Sequence, residues 1–287
     1  MPFASSNGAS DGLARQVDEQ SRSELKRRVI SALVLAPVAM AAIFAGAPYF
    51  EIILFVGAVV MAWEWDRICG QQKFSASGWV MAIILLGAGV SAWLRRYDIA
   101  LAIVAVGAFG VYVTALICRR GEPLWTATGT VAVGIPCIAA LWLRYLPHQG
   151  LETLVWLIGA VWVTDVTAYV TGSLIRGTKL APRISPGKTW AGLIGAIVAA
   201  AVWGSVCAAW VGAEATWAFA VLGAIVAVLA QTGDLTVSFV KRRFGVKNAS
   251  NLIPGHGGIL DRFDGLLIAT PALAALAWFQ KGGIFAW

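Results

Sequence analysis

Asp234, Ser238 and Lys241 stand four and three residues apart at the end of a long apolar run, so on a helix they share one face. Pro254, Gly255, Gly257 and Gly258 then break the helix and turn backbone N–H groups outward. Asp261 and Asp264, three apart, share a face at the start of the next apolar run. Three carboxylates thereby converge with the cations Lys241, Arg242 and Arg262 at one end of the apolar segments. Such a set suits a divalent cation and phosphate groups. An acid inside an apolar run costs about 2.5–3.5 kcal/mol or more at membrane depth and marks a functional site by default.

A second set runs from Asp165 to Gly195. Asp165, Tyr169 and Gly172 fall on one helix face, and Lys179, Ser185, Lys188 and Thr189 follow in a Pro- and Gly-containing loop. The plain alternative for Asp165 is a polar contact that fixes helix packing, and for the loop a basic turn at a membrane edge. Gly187-Lys188-Thr189 has the ending of a P-loop, but the residue five positions before Gly187 is Pro182 and no strand pattern precedes it, so that reading fails. His256 either touches a substrate or bonds backbone within its Gly-rich turn. Asn248-Ala249-Ser250 fits a glycosylation sequon but belongs to a segment expected on the cytosolic side.

The elements that must position these residues are apolar helices. The chain has 287 residues, 59% hydrophobic and 13% charged, with 14 Trp and a mean hydropathy of +0.76. A soluble domain carries about 25% charged residues. The composition is that of an all-α, polytopic membrane protein. Its net charge of +7 sits in clusters between apolar runs, which fits basic loops beside anionic lipid and argues against a nucleic-acid partner. The four Cys form no CxxC pair, and packing is their expected role.

Residues 1–28 read as a polar cytosolic tail without the apolar core of a signal peptide, and 29–287 as one transmembrane domain. Apolar runs occur at about 29–50, 52–65, 79–94, 97–118, 123–147, 151–175, 189–213, 215–240 and 263–280. About nine transmembrane helices are expected, the second and third runs being short for the roughly 20 residues a span needs. With the N-terminus inside, 18 of the 22 Lys and Arg fall on the cytosolic side and four on the other. That bias supports a cytosolic N-terminus and an external C-terminus. It also brings the 176–188 loop and the 241–262 segment to the same side.

Ser238, Lys241, Arg242, Lys247, Pro254, His256, Gly257, Gly258, Asp261, Arg262 and Asp264 fall in register with the signature of the phosphatidate cytidylyltransferase (CDP-diacylglycerol synthase) family. That signature reads S-x-apolar-K-R, four residues, K-D, a short spacer, apolar-P-x-H-G-G, then D-R-apolar-D. One position departs: Asn248 stands where the family has Asp. Lys179 to Gly192 resembles the family's second block, K-L-x-P-x-I-S-P-x-K-T-W-x-G, with Ala191 where Glu or Gln is frequent. Trp63-Glu64-Trp65 is a weaker likeness.

The resemblance implies that CTP and phosphatidate give CDP-diacylglycerol and pyrophosphate, in phospholipid biosynthesis at a bacterial inner membrane, with the catalytic portion at about 151–280. It implies Mg²⁺, a second cation being left open, with Asp234 and Asp261 as ligands and Asp264 as a third ligand or a residue just behind them. Lys241, Arg242 and Arg262 would neutralise triphosphate or phosphatidate. Ser238, Asp165, His256 and the loop residues Lys179, Ser185, Lys188 and Thr189 would bind substrate. A second copy of the chain is kept as a candidate partner. Two other classes remain. One is a different lipid-phosphate enzyme, such as a CTP-dependent polyprenol kinase or a CDP-alcohol phosphotransferase; the latter needs D-G-x-x-A-R, which the residues after Asp264-Gly265 do not supply. A transporter would show two similar halves with paired broken helices, and no internal repeat is found.

Overall fold

The computed structural model describes residues 35–70, 74–119, 121–253 and 257–280. The expected tail at 1–28 and His256 lie outside them. The first helix is described as α1 (Leu35–Ala45), followed by α2 (Tyr49–Cys69), α3 (Ala76–Trp93), α4 (Tyr97–Cys118), α5 (Pro123–Arg144) and α6 (Gly150–Ile175). The strands β1 (Lys179–Ala181) and β2 (Ser185–Thr189) come next, then α7 (Trp190–Trp210), α8 (Thr216–Arg243), the short α9 (Leu260–Phe263) and α10 (Leu266–Phe279).

Among the described residues six helices, α3 to α8, are long and apolar enough to cross a membrane. Large apolar side chains such as Val106, Phe109, Ile117 and Ile194 face outward from them, as helices bathed in lipid require. The chain is an integral membrane protein.

The expected run boundaries shift in three places. The run at 52–65 belongs to a full 21-residue helix, α2. Its length was hidden because Glu51 and Asp66 bound the apolar pattern while lying buried against protein. The first run breaks at Gly46, whose φ of +67° favours glycine, and Pro48 precedes α2. The last run is split: α9 ends at Phe263 and α10 begins at Leu266, with Asp264 and Gly265 between.

The expectation of an all-α chain also meets one exception. β1 and β2 pair antiparallel, Lys179 opposite Thr189 and Ala181 opposite Ser185, so the 179–189 loop is a hairpin. Pro182 and Arg183 lie in its turn, which closes with the Ile184 N–H donating to the Ala181 carbonyl at 3.1 Å.

Small residues let α7 and α8 touch. A Cβ on Gly204 would lie 2.0 Å from the Phe219 carbonyl oxygen, and one on Gly223 2.1 Å from that of Ala200. Without hydrophobic gain between helices in lipid, such close backbone approach supplies the packing. α6, α7 and α8 form one packed group and α3, α4 and α5 another; α10 lies against α5 and α8, and α2 against α3 and α5. One buried cluster joins α2, α5 and α8 to α9 through Met61, Trp65, Val133, Val237, Val240 and Leu260. That cluster carries the site.

Candidate active site

The C-terminal half of α8 presents Gln231, Asp234 and Lys241 along one face into a cavity of about 460 Å³. The helix places them by its 3.6-residue period. The hairpin closes the second wall with Ser185, Lys188 and Thr189, and α6 contributes Asp165. The short α9 adds Asp261 and Arg262, and the break after it adds Asp264. Gly233 lets that break seat on α8, since a Cβ there would lie 2.3 Å from the Asp264 carbonyl oxygen.

The charged groups are paired across elements. Lys188 Nζ lies 2.7 Å from Asp234 Oδ2, and Ser238 donates its hydroxyl to Asp234 Oδ1 at 3.1 Å. Lys241 Nζ lies 2.5 Å from Asp261 Oδ1, and both side chains are largely buried. Asp261 Oδ2 accepts from the backbone N–H groups of Ala249 at 3.0 Å and Gly258 at 2.9 Å. Asp261 thus ties the loop before it, the turn it sits on and α8 together. Asp264 Oδ1 accepts from the Gly265 N–H at 2.9 Å. Asp165, Asp234 and Asp264 come from three different parts of the chain to line this one cavity.

Of the residues expected from the sequence, Asp165, Ser185, Lys188, Thr189, Asp234, Lys241, Asp261, Arg262 and Asp264 meet in this cavity. Ser238 sits behind it, on Asp234. Thr189 also caps α7, its Oγ1 accepting from the Gly192 N–H at 3.0 Å. Arg242 is turned to the hairpin, donating to the Ile184 carbonyl from Nε and to Val246 from a terminal nitrogen, each at 3.3 Å. Lys179 is exposed on β1 and is not part of the lining.

Gln231, Asn248 and Glu64 line or support the site without having been expected as site residues from the sequence. Gln231 lies one helical turn before Asp234 and repeats its face, a spacing that was available. Asn248 lines the cavity, although its departure from the signature drew attention only to a missing charge. Glu64 reaches the site from a helix distant in sequence, and no spacing rule links the two.

The chain matches the family model described as the cytidylyltransferase family over residues 26–280. It belongs to the cytidylyltransferase family. It is 35% identical over 268 residues to a phosphatidate cytidylyltransferase of Brucella abortus, covering 92% of this chain and 95% of that protein. It is 35% identical to one of Pseudomonas aeruginosa over 276 residues, covering 90% and 99%, and 31% identical to one of Haemophilus influenzae, covering 89% and 99%. This cytidylyltransferase is a nucleotidyltransferase built on a bundle of membrane helices. The paired lysines and acids described above are its concentration of charge among apolar helices.

A cation is compatible with the donor set. Asp165, Asp234 and Asp264 line the one cavity and offer the hard carboxylate oxygens a divalent cation takes. Among the described residues no three His, Cys, Asp or Glu are gathered into a ligand set. Mg²⁺ is ordinarily held by only one or two carboxylates, with phosphate oxygens and water completing its shell. Of the expected ligands, Asp261 has both oxygens engaged by Lys241 and backbone amides and Asp234 by Lys188 and Ser238, Asp234 being the more open to solvent.

Proposed function

We propose that the chain joins CTP and phosphatidate to give CDP-diacylglycerol and pyrophosphate, at the cytosolic face of a bacterial inner membrane. The observation that carries this is the meeting of the hairpin's Lys188 with Asp234 of α8 in the cavity that also holds Lys241, Arg262 and Asp264. Cations interleaved with acids are what two polyanionic reactants need. The relatives named phosphatidate cytidylyltransferase supply the substrates of the reading.

A lipid phosphate monoester has a second pKa of about 6 and is largely dianionic at neutral pH. Its oxygen attacks the α-phosphorus of CTP; that P–O bond forms while the bond to the β-phosphate oxygen breaks and pyrophosphate leaves. No proton has to be removed from the nucleophile. The task of the protein is to bring the two anions together and to stabilise charge building on the leaving group. Lys188, Lys241 and Arg262 meet that charge. Asp234 and Asp261 fix the two lysines, and Ser238 fixes Asp234. Bound Mg²⁺ would polarise phosphate oxygens and offset charge on pyrophosphate. Asp234 and Asp264, with Asp165 beside them, are the residues that fit it, and Asp261 acts as the clamp behind them.

The same reading takes α1, α2 and the α9–α10 pair as the remaining elements of a nine-crossing unit, with the N-terminus in the cytosol and the C-terminus outside. The test is conversion of CTP by purified protein in mixed micelles with phosphatidate and Mg²⁺. Label in the cytidine moiety passes into the lipid phase only for cytidylyl transfer. Transfer of γ-phosphate label instead would make the enzyme a CTP-dependent lipid kinase and overturn the reading.

A further inference from the structure

Glu64 is fully buried near the C-terminal end of α2, and no ion pair is recorded for it among the described residues. Its Oε1 accepts from the Ser250 hydroxyl at 2.6 Å and from the Ile259 N–H at 2.9 Å. Its Oε2 accepts from the Leu260 N–H at 2.6 Å. Three donors from the two ends of the 250–260 segment therefore close on one carboxylate. Gly258 is fitted to it, because a Cβ there would lie 2.4 Å from Glu64 Oε1. The next residue on the helix, Trp65, is pinned in turn by its indole N–H donating to the Trp125 carbonyl at 2.8 Å.

The two amides held by Glu64 precede Asp261 directly. Asp261 takes Lys241, and Arg262 and Asp264 line the cavity beyond it. We infer that Glu64 is a positioning residue of the active site, its carboxylate holding the turn that presents Asp261, Arg262 and Asp264. This rests on the cytidylyl-transfer reading for its catalytic consequence and on geometry alone for the clamp. An ionised carboxylate is suited to the task because it is acceptor-only and takes all three donors. The amide of Gln would set its own N–H₂ against a backbone N–H. Sites of this kind lose rate when their support shifts by fractions of an ångström.

The test compares wild type, Glu64→Gln and Ser250→Ala in detergent-lipid micelles by two measurements. Amide hydrogen exchange reads the clamp without activity. Glu64→Gln is expected to speed exchange at Ile259 and Leu260 while α7 and the centre of α8 keep their protection. Steady-state kinetics reads the consequence: kcat is expected to fall roughly 10- to 100-fold, as for other supporting partners of a site, with a much smaller change in KM for CTP. Ser250→Ala removes one donor and is expected to act in the same direction with smaller amplitude. It carries both measurements should Glu64→Gln not fold. Unchanged exchange at Ile259 and Leu260 would remove the clamp. Faster exchange with unchanged kcat would make Glu64 a structural residue only. A wild-type protein unable to convert CTP with phosphatidate would defeat the functional reading, and the exchange data would still decide whether the clamp exists.

Discussion

Lys188 on the hairpin reaches 2.7 Å from Asp234 in the C-terminal half of α8, so a segment outside the bundle is latched to a half-buried acid on an apolar helix. The same lysine also points to the Gln231 carbonyl at 3.4 Å, one turn earlier on α8. The latch aligns the hairpin wall of the cavity with the helix wall. It also supplies the partner that lets an acid persist within an apolar helix.

Lys188→Met should therefore cost activity more than stability. The pair is partly open to solvent, which limits its worth to folding. Loss of a cation facing phosphate is expected to lower kcat/KM about 100-fold or more, the scale of deleting one electrostatic stabiliser. Turnover near the wild-type value in a folded Lys188→Met protein would detach this lysine from catalysis.

Asp234→Asn and Asp261→Asn should separate. Asp234 bonds two side chains at the cavity wall, whereas Asp261 joins a buried lysine to two backbone amides. Both variants are expected to lose most activity. Asp261→Asn should also lower the melting temperature, since leaving one partner of a buried pair uncompensated costs about 3–5 kcal/mol. Raising Mg²⁺ should partly restore Asp234→Asn and not Asp261→Asn, with Asp264→Asn milder than either. Thermal melts and a Mg²⁺ titration of each variant check this order. An unaltered melting temperature for Asp261→Asn would show that it is not the clamp described.

Gly233→Ala tests the seat of the α9–α10 break. A methyl group would meet the Asp264 carbonyl oxygen at 2.3 Å, so α8 and the break must part. Overpacking of this kind costs about 1–3 kcal/mol. Activity should fall further than the melting temperature alone accounts for, because Asp264 and Arg262 move with the break. Equal activity per folded molecule would show that the seat can shift without disturbing the cavity.

Asn248→Asp restores the charge the signature carries at this position. Asn248 lines the cavity, where Asp165, Asp234, Asp261 and Asp264 already stand. The expected change in kcat/KM is below tenfold, or about 1.4 kcal/mol of barrier. A larger gain would show that a further carboxylate serves the reaction.

Cysteine labelling of intact cells tests the orientation. In a Cys118→Ser background, a thiol at Arg183 in the hairpin turn should resist an impermeant reagent until the membrane is opened. A thiol at Arg96, in the connection between α3 and α4, should react at once. The opposite pattern would invert the proposed topology.

The local spacing of Asp234, Ser238 and Lys241 was enough to put them on one helix face, because an α-helix converts sequence intervals into direction without help from the rest of the fold. Low charge and long apolar runs likewise determined a membrane bundle, since lipid admits few other backbones. The 179–189 segment was legible as a functional loop but not as a hairpin: its strands are three and five residues long and carry Pro186 and Gly187, which are poor strand residues. α2 was read too short because Glu51 and Asp66 look like the ends of a span, and only their burial against the rest of the protein shows that they belong inside the helix. Three acids in the sequence suggested one ligand set, yet spacing cannot say which oxygens are already taken. Tertiary structure alone decided that Asp261 bonds Lys241 and backbone amides while Asp234 bonds Lys188 and Ser238, because the partnerships between elements depend on a relative placement that no local interval encodes.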